Sequence, residues 1–152
     1  MLKPTDFKAD EVLFAGQSPG GSSLLDDKDI LNADLSSVVL QVGGLGTFNS
    51  VTLGKKLTGK RATAGTALGD VNETLRGGAS SKDLETMFQL AWLRFTQPRV
   101  DSVAWEAFKG QMRSYMINQR NAPEAVFSDT IEVTMSQHHP RVKLFTPELL
   151  DS

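Results

Sequence analysis

One motif has the residue types of a serine hydrolase: Gly16 to Gly20 (GQSPG) is a literal G-x-S-x-G directly after a predicted strand. In such hydrolases the residue after the nucleophile donates its backbone N–H to the oxyanion. That residue is Pro19 here, and proline has no N–H to donate. The motif therefore predicts a tight turn rather than a nucleophile at Ser18, and we expect no labelling of Ser18 by a fluorophosphonate probe.

Two glycine-rich segments have part of the pattern of a phosphate-binding loop. Gly54 to Arg61 (GKKLTGKR) matches a P-loop except that Arg61 replaces the hydroxyl residue that binds magnesium. Gly43 to Gly46 (GGLG) lacks the third glycine of a dinucleotide-binding fingerprint, because Asn49 stands there. A phosphate loop follows a strand, whereas both segments lie within or after helical periodicity. Neither segment is predicted to bind a nucleotide.

A zinc site on this chain would depend on His138 and His139, the only two histidines, since the sequence contains no cysteine. Adjacent residues of a helix point about 100° apart, so the two imidazoles do not easily share one ion. The residues three and four positions away include Met135, Arg141 and Val142, none of which is a good zinc ligand. We predict an exposed histidine pair at a helix end, and no catalytic, cofactor-binding or metal-binding residue on this chain.

The composition excludes several classes of function. A length of 152 residues suits one domain. The formal net charge of −2 gives no electrostatic case for binding nucleic acid. The basic cluster between Lys55 and Arg61 is predicted to be a solvated helix end, where cations meet the negative end of the helix dipole. No apolar run approaches the ~20 residues of a membrane span, and MLKPTDFKAD at the start lacks the apolar stretch of a signal peptide.

The first half of the chain predicts one strand and two helices. A strand is expected over Glu11–Gln17, followed by the turn-forming SPGGSS. An amphipathic helix is expected from Asp27 to Gly43, and a short helix from about Asn49, its cap, to Leu57. The apolar stripe of the first helix consists of Leu31, Leu35, Val38, Val39 and Val42.

The second half predicts a hairpin and three helices. Arg61–Leu68 and Val71–Arg76 are threonine-rich and separated by Gly-Asp, which favours a hairpin. Ser80 and Asp83 have capping-box spacing at the start of the next helix. Its predicted buried face is Leu84, Met87, Phe88, Ala91 and Phe95, and Trp92, Trp105 and Phe108 are also expected in the core. Helices from Ser102 to Arg120 and from Pro123 to near Pro140 follow, the latter carrying Phe127, Ile131, Thr134 and Met135.

This order of elements predicts an α+β fold, with a small, mostly antiparallel sheet and helices packed on one face. Residues 1–152 are expected to form a single domain. Thr146-Pro147-Glu148 has the pattern of a helix start only four residues from the end of the sequence. This pattern predicts a truncated repeat, whose sheet edge or apolar surface would be exposed and would favour self-association.

Several segments resemble the pitrilysin/insulinase family of zinc peptidases. They are FKADEVLFAGQSPGGSSLLDD, SSVVLQVGGLGTFNSVTLGKKLTGK, GGASSKDLETMFQLAWLRFTQPRVD and AWEAFKGQM. The sequence is most similar to bacterial members with two homologous halves on one chain, and the resemblance extends from Lys3 to about Asp151. It implies the repeat fold of mitochondrial-processing-peptidase-like metallohydrolases, in which two halves close around a peptide.

The sequence departs from this family at its zinc motif, H-x-x-E-H, which lies on the helix after the first long strand. The corresponding helix, Asp27 to Gly43, contains no histidine and reads SSVVLQ over residues 36–41. The resemblance therefore implies the opening part of the non-catalytic C-terminal half, inactive alone, with no zinc ligand or general base at any position here. It implies a parent zinc metalloendopeptidase whose zinc lies on the catalytic half.

The resemblance also implies the partners and compartment of this chain. The partners would be the catalytic half of the same protein and a peptide substrate. The compartment would be the periplasm, because bacterial relatives are often exported, although the sequence leaves a cytoplasmic location open. The alternative is a structural or assembly module without a role in proteolysis. An H-x-x-E-H motif upstream in the parent gene would favour the peptidase, and its absence would favour the assembly module.

Overall fold

The structure, a computed structural model, describes residues 1–142, 144 and 146–151, with only the main chain of Asp151. The described residues form three strands and five α-helices, joined by short 3-10 turns. In chain order the elements are β1 (Val12–Pro19), α1 (Ile30–Gly43), α2 (Ser50–Lys56), β2 (Ala62–Leu68), β3 (Asn72–Ala79), α3 (Leu84–Thr96), α4 (Ser102–Gln119) and α5 (Pro123–Met135). The 3-10 turns are Gly21–Leu24, Asp27–Asp29, Ser81–Asp83 and Pro147–Asp151.

The three strands form one antiparallel sheet in the order β1-β3-β2, with β3 in the centre. The predicted hairpin is confirmed as β2 and β3. However, β3 continues to Ala79 instead of ending at Arg76, because its glycines serve close packing rather than chain reversal. A Cβ added at Gly77 would lie 2.8 Å from the carbonyl oxygen of Thr63 and 3.1 Å from the side chain of Met87. Helix α3 therefore packs directly on the backbone of the central strand.

The core lies between one face of this sheet and the helices. Its buried cluster contains Leu45, Ala62, Ala79, Met87 and Leu90. The opposite face of the sheet is open, and Leu13 of β1 is 76% exposed there. This arrangement confirms the predicted α+β fold with a small antiparallel sheet and helices on one face.

The predicted buried face of α3 is partly wrong. The residues that point into the core are Met87, Leu90 and Ala91. In contrast, Phe88 is 48% exposed, Trp92 69% and Phe95 67%. Helix α3 packs on β2 and β3, and the Phe88 ring reaches β1 through an edge-to-face contact with Phe14, at 5.7 Å between ring centroids. These aromatic side chains are exposed because no described element covers this side of α3.

Helix α5 contributes no buried residue to the core. Phe127, Ile131, Thr134 and Met135 are all exposed, and α5 contains no buried residue. The helix begins at Pro123 as expected, because proline fits the first helical position. Trp105 and Phe108 of α4 are half-buried and stack on each other at 5.5 Å between centroids. Apolar spacing thus identified these helices without identifying what each one packs against.

Two capping predictions had different outcomes. The Asn49 side chain accepts a hydrogen bond from the backbone N–H of Thr52 at 2.8 Å, so the cap of α2 is confirmed. The Ser80 and Asp83 pair forms no capping box. Instead the Ser80 hydroxyl donates to the Asp83 carboxylate at 2.7 Å, and the same carboxylate oxygen accepts from the backbone N–H of Arg61 at 2.9 Å. The pair thereby ties the start of α3 to the start of β2.

None of the helices within the described residues is both long enough and apolar enough to cross a membrane.

Candidate functional site: a groove beside Arg94

The hydrolase-like motif lies mostly within β1 and not in a turn. Ser18 and Pro19 are the last two residues of that strand, and the chain turns only at Gly20. The Ser18 hydroxyl donates to the neighbouring carbonyl oxygen of Pro19 at 3.3 Å. The predicted tight turn is therefore displaced by about two residues, because Gly16 to Pro19 pair with β3 along their whole length.

The two glycine-rich segments both lie at helix ends. Gly43 is the last residue of α1, and Gly44 has a φ of 93°, a conformation that favours glycine. Lys55 and Lys56 are exposed in the last turn of α2, which confirms the predicted solvated helix end. The first segment begins at the last residue of α1 and the second begins inside α2, so neither follows a strand as a phosphate loop does.

His138 and His139 are exposed and lie just beyond the end of α5, as predicted for a histidine pair at a helix end. The Nδ1 atom of His139 accepts a hydrogen bond from the backbone N–H of Arg141 at 3.2 Å. Across the part of the chain that the structure describes, no three His, Asp or Glu side chains lie close enough together to hold a metal ion. The described side chains therefore do not supply the three or four ligands that a zinc centre needs.

A groove of about 480 Å³ lies on the helix-facing side of the sheet. Helix α1 forms one wall, the end of α3 forms another, and the sheet forms the floor. Its lining includes Gly16 and Ser18 of β1, Ser36, Ser37 and Leu40 of α1, Thr66 and Leu68 of β2, Glu73 and Leu75 of β3, and Arg94 and Phe95 of α3. The surface of the groove is mainly apolar, with hydroxyl groups, one cation and one acid among the described residues. We take it as the candidate functional site.

Among the described residues, Arg94 is the only cation that lines this groove. Its Nη1 atom donates to the carbonyl oxygen of Leu40 at 3.2 Å, which holds the side chain against α1. Its Nε atom is buried and has no hydrogen-bond partner among the described residues. Burial lowers the pKa of the Arg94 guanidinium, because the charged form loses hydration. The group nevertheless keeps its charge, since arginine does not deprotonate in proteins.

The wall that α1 provides is fixed to the sheet beside the groove. The Ser37 hydroxyl accepts a hydrogen bond from the backbone N–H of Leu68 at 3.4 Å. Ser36 donates within its own helix to the carbonyl oxygen of Ala33 at 2.6 Å. The residues of α1 at the groove are thus small hydroxyl and aliphatic side chains. These groups can line a ligand, but they supply no general base or metal ligand.

Sequence reasoning did not single out Arg94, although a signal was present. Met87, Ala91 and Arg94 follow the spacing i, i+4 and i+7, so the arginine belongs to the same face of α3 as two buried residues. A cation on the apolar face of an amphipathic helix is unusual, because a buried charge needs a partner. That position was recognisable from the pattern alone.

Comparisons with known proteins identify the fold. No protein-family model matches the sequence, and no curated protein matches it. Among solved structures, this chain is similar to the periplasmic protease PqqL from Escherichia coli, with a TM-score of 0.74 and 16% sequence identity. The match covers 99% of this chain and 16% of the PqqL chain. It is also similar to a mutant of the ferredoxin protease FusC solved in complex with Arabidopsis ferredoxin, with a TM-score of 0.69 and 16% sequence identity. This match covers 93% of this chain and 16% of the FusC chain. The chain therefore has the fold of about one sixth of each of these protease chains.

Proposed function

We propose that this chain is a non-catalytic domain of a zinc-dependent peptidase, and that it helps to enclose peptide substrate and to position it for hydrolysis. The zinc site would lie on the catalytic half of the same protein, where zinc-bound water would attack the peptide. The observation that carries the proposal is the likeness of nearly the whole chain to a segment of two proteases. The absence of histidine from α1 supports a non-catalytic role.

The groove beside Arg94 supports the part of the proposal that concerns substrate. Its volume of about 480 Å³ is in the range of ligand sites, roughly 300–1,000 Å³. Its walls combine apolar surface with hydroxyl groups and two charged side chains, Arg94 and Glu73. PqqL is described as a periplasmic protease, and we propose the same compartment for this chain.

Zinc content tests the non-catalytic assignment directly. The purified chain is loaded with zinc, dialysed and measured by elemental analysis, beside a variant in which His138 and His139 are both alanine. We expect less than about a tenth of an equivalent in each, because an isolated histidine pair lacks the three or four ligands of a stable site. One equivalent that disappears in the double variant would contradict a non-catalytic role.

The parent gene tests the peptidase assignment. An H-x-x-E-H motif upstream, together with hydrolysis of a fluorogenic peptide by the full-length protein, is the expected result. Loss of that activity when this segment is deleted, with the zinc content of the catalytic half unchanged, would support a role in enclosing substrate. A parent without the motif and without activity would contradict the proposal and favour an assembly module.

A further inference from the structure

We infer that the groove beside Arg94 binds a peptide through one of its carboxylates, with the Arg94 guanidinium as the anchor. The inference rests on the proposed function and deepens it, because it names the chemical group that this domain recognises. A C-terminal carboxylate and an acidic side chain offer the same chemistry to the guanidinium. The experiment below therefore separates these two sources.

Arg94 uses fewer of its donors than two other arginines of the same structure. Arg99 donates from Nη2 to the carboxylate of Asp101 at 2.9 Å, and from Nε to the carbonyl oxygen of Gly43 at 3.0 Å. Arg141 donates from Nε to the carboxylate of Asp27 at 2.6 Å, and to two backbone carbonyl oxygens. In both cases Nε and a carboxylate are in use, as is typical for partly buried arginines.

Arg94 has neither of these features within the described residues. Its Nε atom is buried without a partner, its Nη1 atom uses a backbone carbonyl oxygen, and it forms no ion pair with a described carboxylate. A buried donor that lacks a partner is costly, and more so on a charged group. A carboxylate that entered the groove would compensate the guanidinium charge, and the N–H donors that Leu40 leaves unused could hold it.

The groove around this cation is mainly apolar. Leu40, Leu75 and Phe95 line it, and apolar surroundings strengthen a charge-assisted hydrogen bond because they displace water. The described residues that line the groove include one cation, Arg94, and one acid, Glu73. A single guanidinium therefore favours a ligand with one negative charge near Arg94. A polyphosphate or nucleic-acid backbone would meet one cation and the repulsion of Glu73.

The test uses the purified 152-residue chain and three apolar tetrapeptides that differ in one group. The first has an acetylated N-terminus and a free C-terminal carboxylate. The second is its C-terminal amide, and the third is an amide that carries one internal glutamate. Dissociation constants are measured by calorimetry, and the backbone amide NMR signals of Ser37 and Leu75 report whether the peptide occupies the groove.

We expect at least one carboxylate-bearing peptide to bind roughly tenfold more tightly than the neutral amide, as one charge-assisted hydrogen bond requires. If only the first peptide binds more tightly than the neutral amide, the source is a C-terminal carboxylate. If only the third peptide binds more tightly, the source is an acidic side chain. Equal binding of all three peptides, binding without shifts in the groove, or no binding of any peptide would overturn the inference.

Variants at Arg94 separate anchoring from stability. Arg94→Gln is expected to remove the preference for a carboxylate, and Arg94→Lys to keep only part of it, because lysine lacks the planar fork. Arg76→Gln is the control, since Arg76 is exposed on the same sheet and does not line the groove. Thermal melting identifies any variant that fails to fold. If Arg94→Gln does not fold, the carboxylate preference of Arg94→Lys is the deciding measurement. A preference that survives in a folded Arg94→Gln protein would overturn the inference.

The test can fail without disproving the proposed function. Peptides that occupy the groove with no preference for a carboxylate would contradict the role of Arg94 but would still support contact with substrate. The proposed function fails separately, if the parent protein lacks the zinc motif and peptidase activity.

Discussion

Asp83 joins two elements through one carboxylate, and this role leads to a prediction at the scale of a single residue. The carboxylate accepts hydrogen bonds from the backbone N–H of Arg61 and from the Ser80 hydroxyl, and its side chain is buried. Asp83→Ala would leave both donors without this partner, so we expect the unfolding temperature to fall by several degrees. Asp26→Ala is the control, because the exposed ion pair of Asp26 with Lys28 contributes little. Equal melting of the two variants would show that Asp83 does not hold the elements together.

The same residue predicts a dependence of stability on pH. The hydrogen bond from the Arg61 N–H, followed by that from the Ser80 hydroxyl, lowers the pKa of Asp83 in the folded protein. A lowered folded-state pKa means that the contribution to stability is complete above the unfolded-state value, near 4. It is lost as the pH falls through the lower folded-state value. Denaturant titrations between pH 7 and pH 2 should show a loss of stability below pH 4 that is smaller in Asp83→Ala. An identical pH profile in the variant would contradict this assignment.

At the scale of residues, the local backbone setting of the motifs was predictable from the sequence, whereas the candidate site was not. Pro19 after Ser18 and the helical setting of the glycine-rich segments depend on local backbone chemistry, which the sequence contains. The position of Arg94 on an apolar helix face was also recognisable. The lack of an ion pair at Arg94 was not recognisable from the sequence. The distance between Arg94 and any carboxylate depends on how α1, α3 and the sheet pack together.

Two glycines lead to a matched prediction at the scale of the secondary-structure elements. Gly44 has a φ of 93°, and a Cβ there would overlap the carbonyl oxygen of Phe48. Gly44→Ala should therefore lower the free energy of unfolding by about 2 kcal/mol or more, from backbone strain and steric overlap. Gly54 lies inside α2 with nothing within 4 Å of a Cβ, so Gly54→Ala should raise it by ~0.5–1 kcal/mol. Urea denaturation measures both, and changes of the same sign would contradict this account.

The boundaries of the elements were largely predictable, because local signals set them. Asn49 caps α2, Pro123 begins α5, and the glycines after α1 end it. The buried faces were less predictable. Phe88 and Phe127 occupy apolar positions of amphipathic helices, yet both are exposed. Helical spacing shows which side of a helix is apolar, whereas the neighbour that covers this side is determined by the tertiary arrangement.

At the scale of the whole molecule, the two edges of the sheet differ in how they are protected. On the β2 edge, the backbone N–H of Leu68 donates to the Ser37 hydroxyl of α1. Strand β1 has no described strand beyond it and contains no charged residue, although charged side chains are a common protection of edge strands. We therefore propose that two copies of this chain associate through β1.

The hydrogen-bond pattern sets the register of this pairing. The N–H of Gly20 bonds to the carbonyl oxygen of Val71, and bonded pairs alternate along an antiparallel ladder. Leu13, Ala15 and Gln17 therefore direct their backbone groups to the free edge. If two β1 strands pair antiparallel with Ala15 opposite Ala15 of the second copy, the backbone N–H and C=O groups of all three residues form hydrogen bonds. This arrangement gives a dimer with two-fold symmetry. An interface of this size is small, so the dimer should be weak, with a dissociation constant in the micromolar range or above.

Charges placed at Ala15 test the pairing, because this register puts the two substituted side chains directly opposite each other. Like charges in that position repel and opposite charges attract, so Ala15→Lys and Ala15→Glu should each be monomeric, whereas an equimolar mixture should form a heterodimer. Sedimentation velocity and small-angle scattering measure the masses. Ala67→Lys, an exposed position on β2, is the control and should associate like the unsubstituted chain. An unsubstituted chain that stays monomeric at high concentration would refute the proposal. If the mixture of the two variants has the same mass as each variant alone, this register is wrong. In this register the opposite charges at position 15 face each other and should restore the dimer.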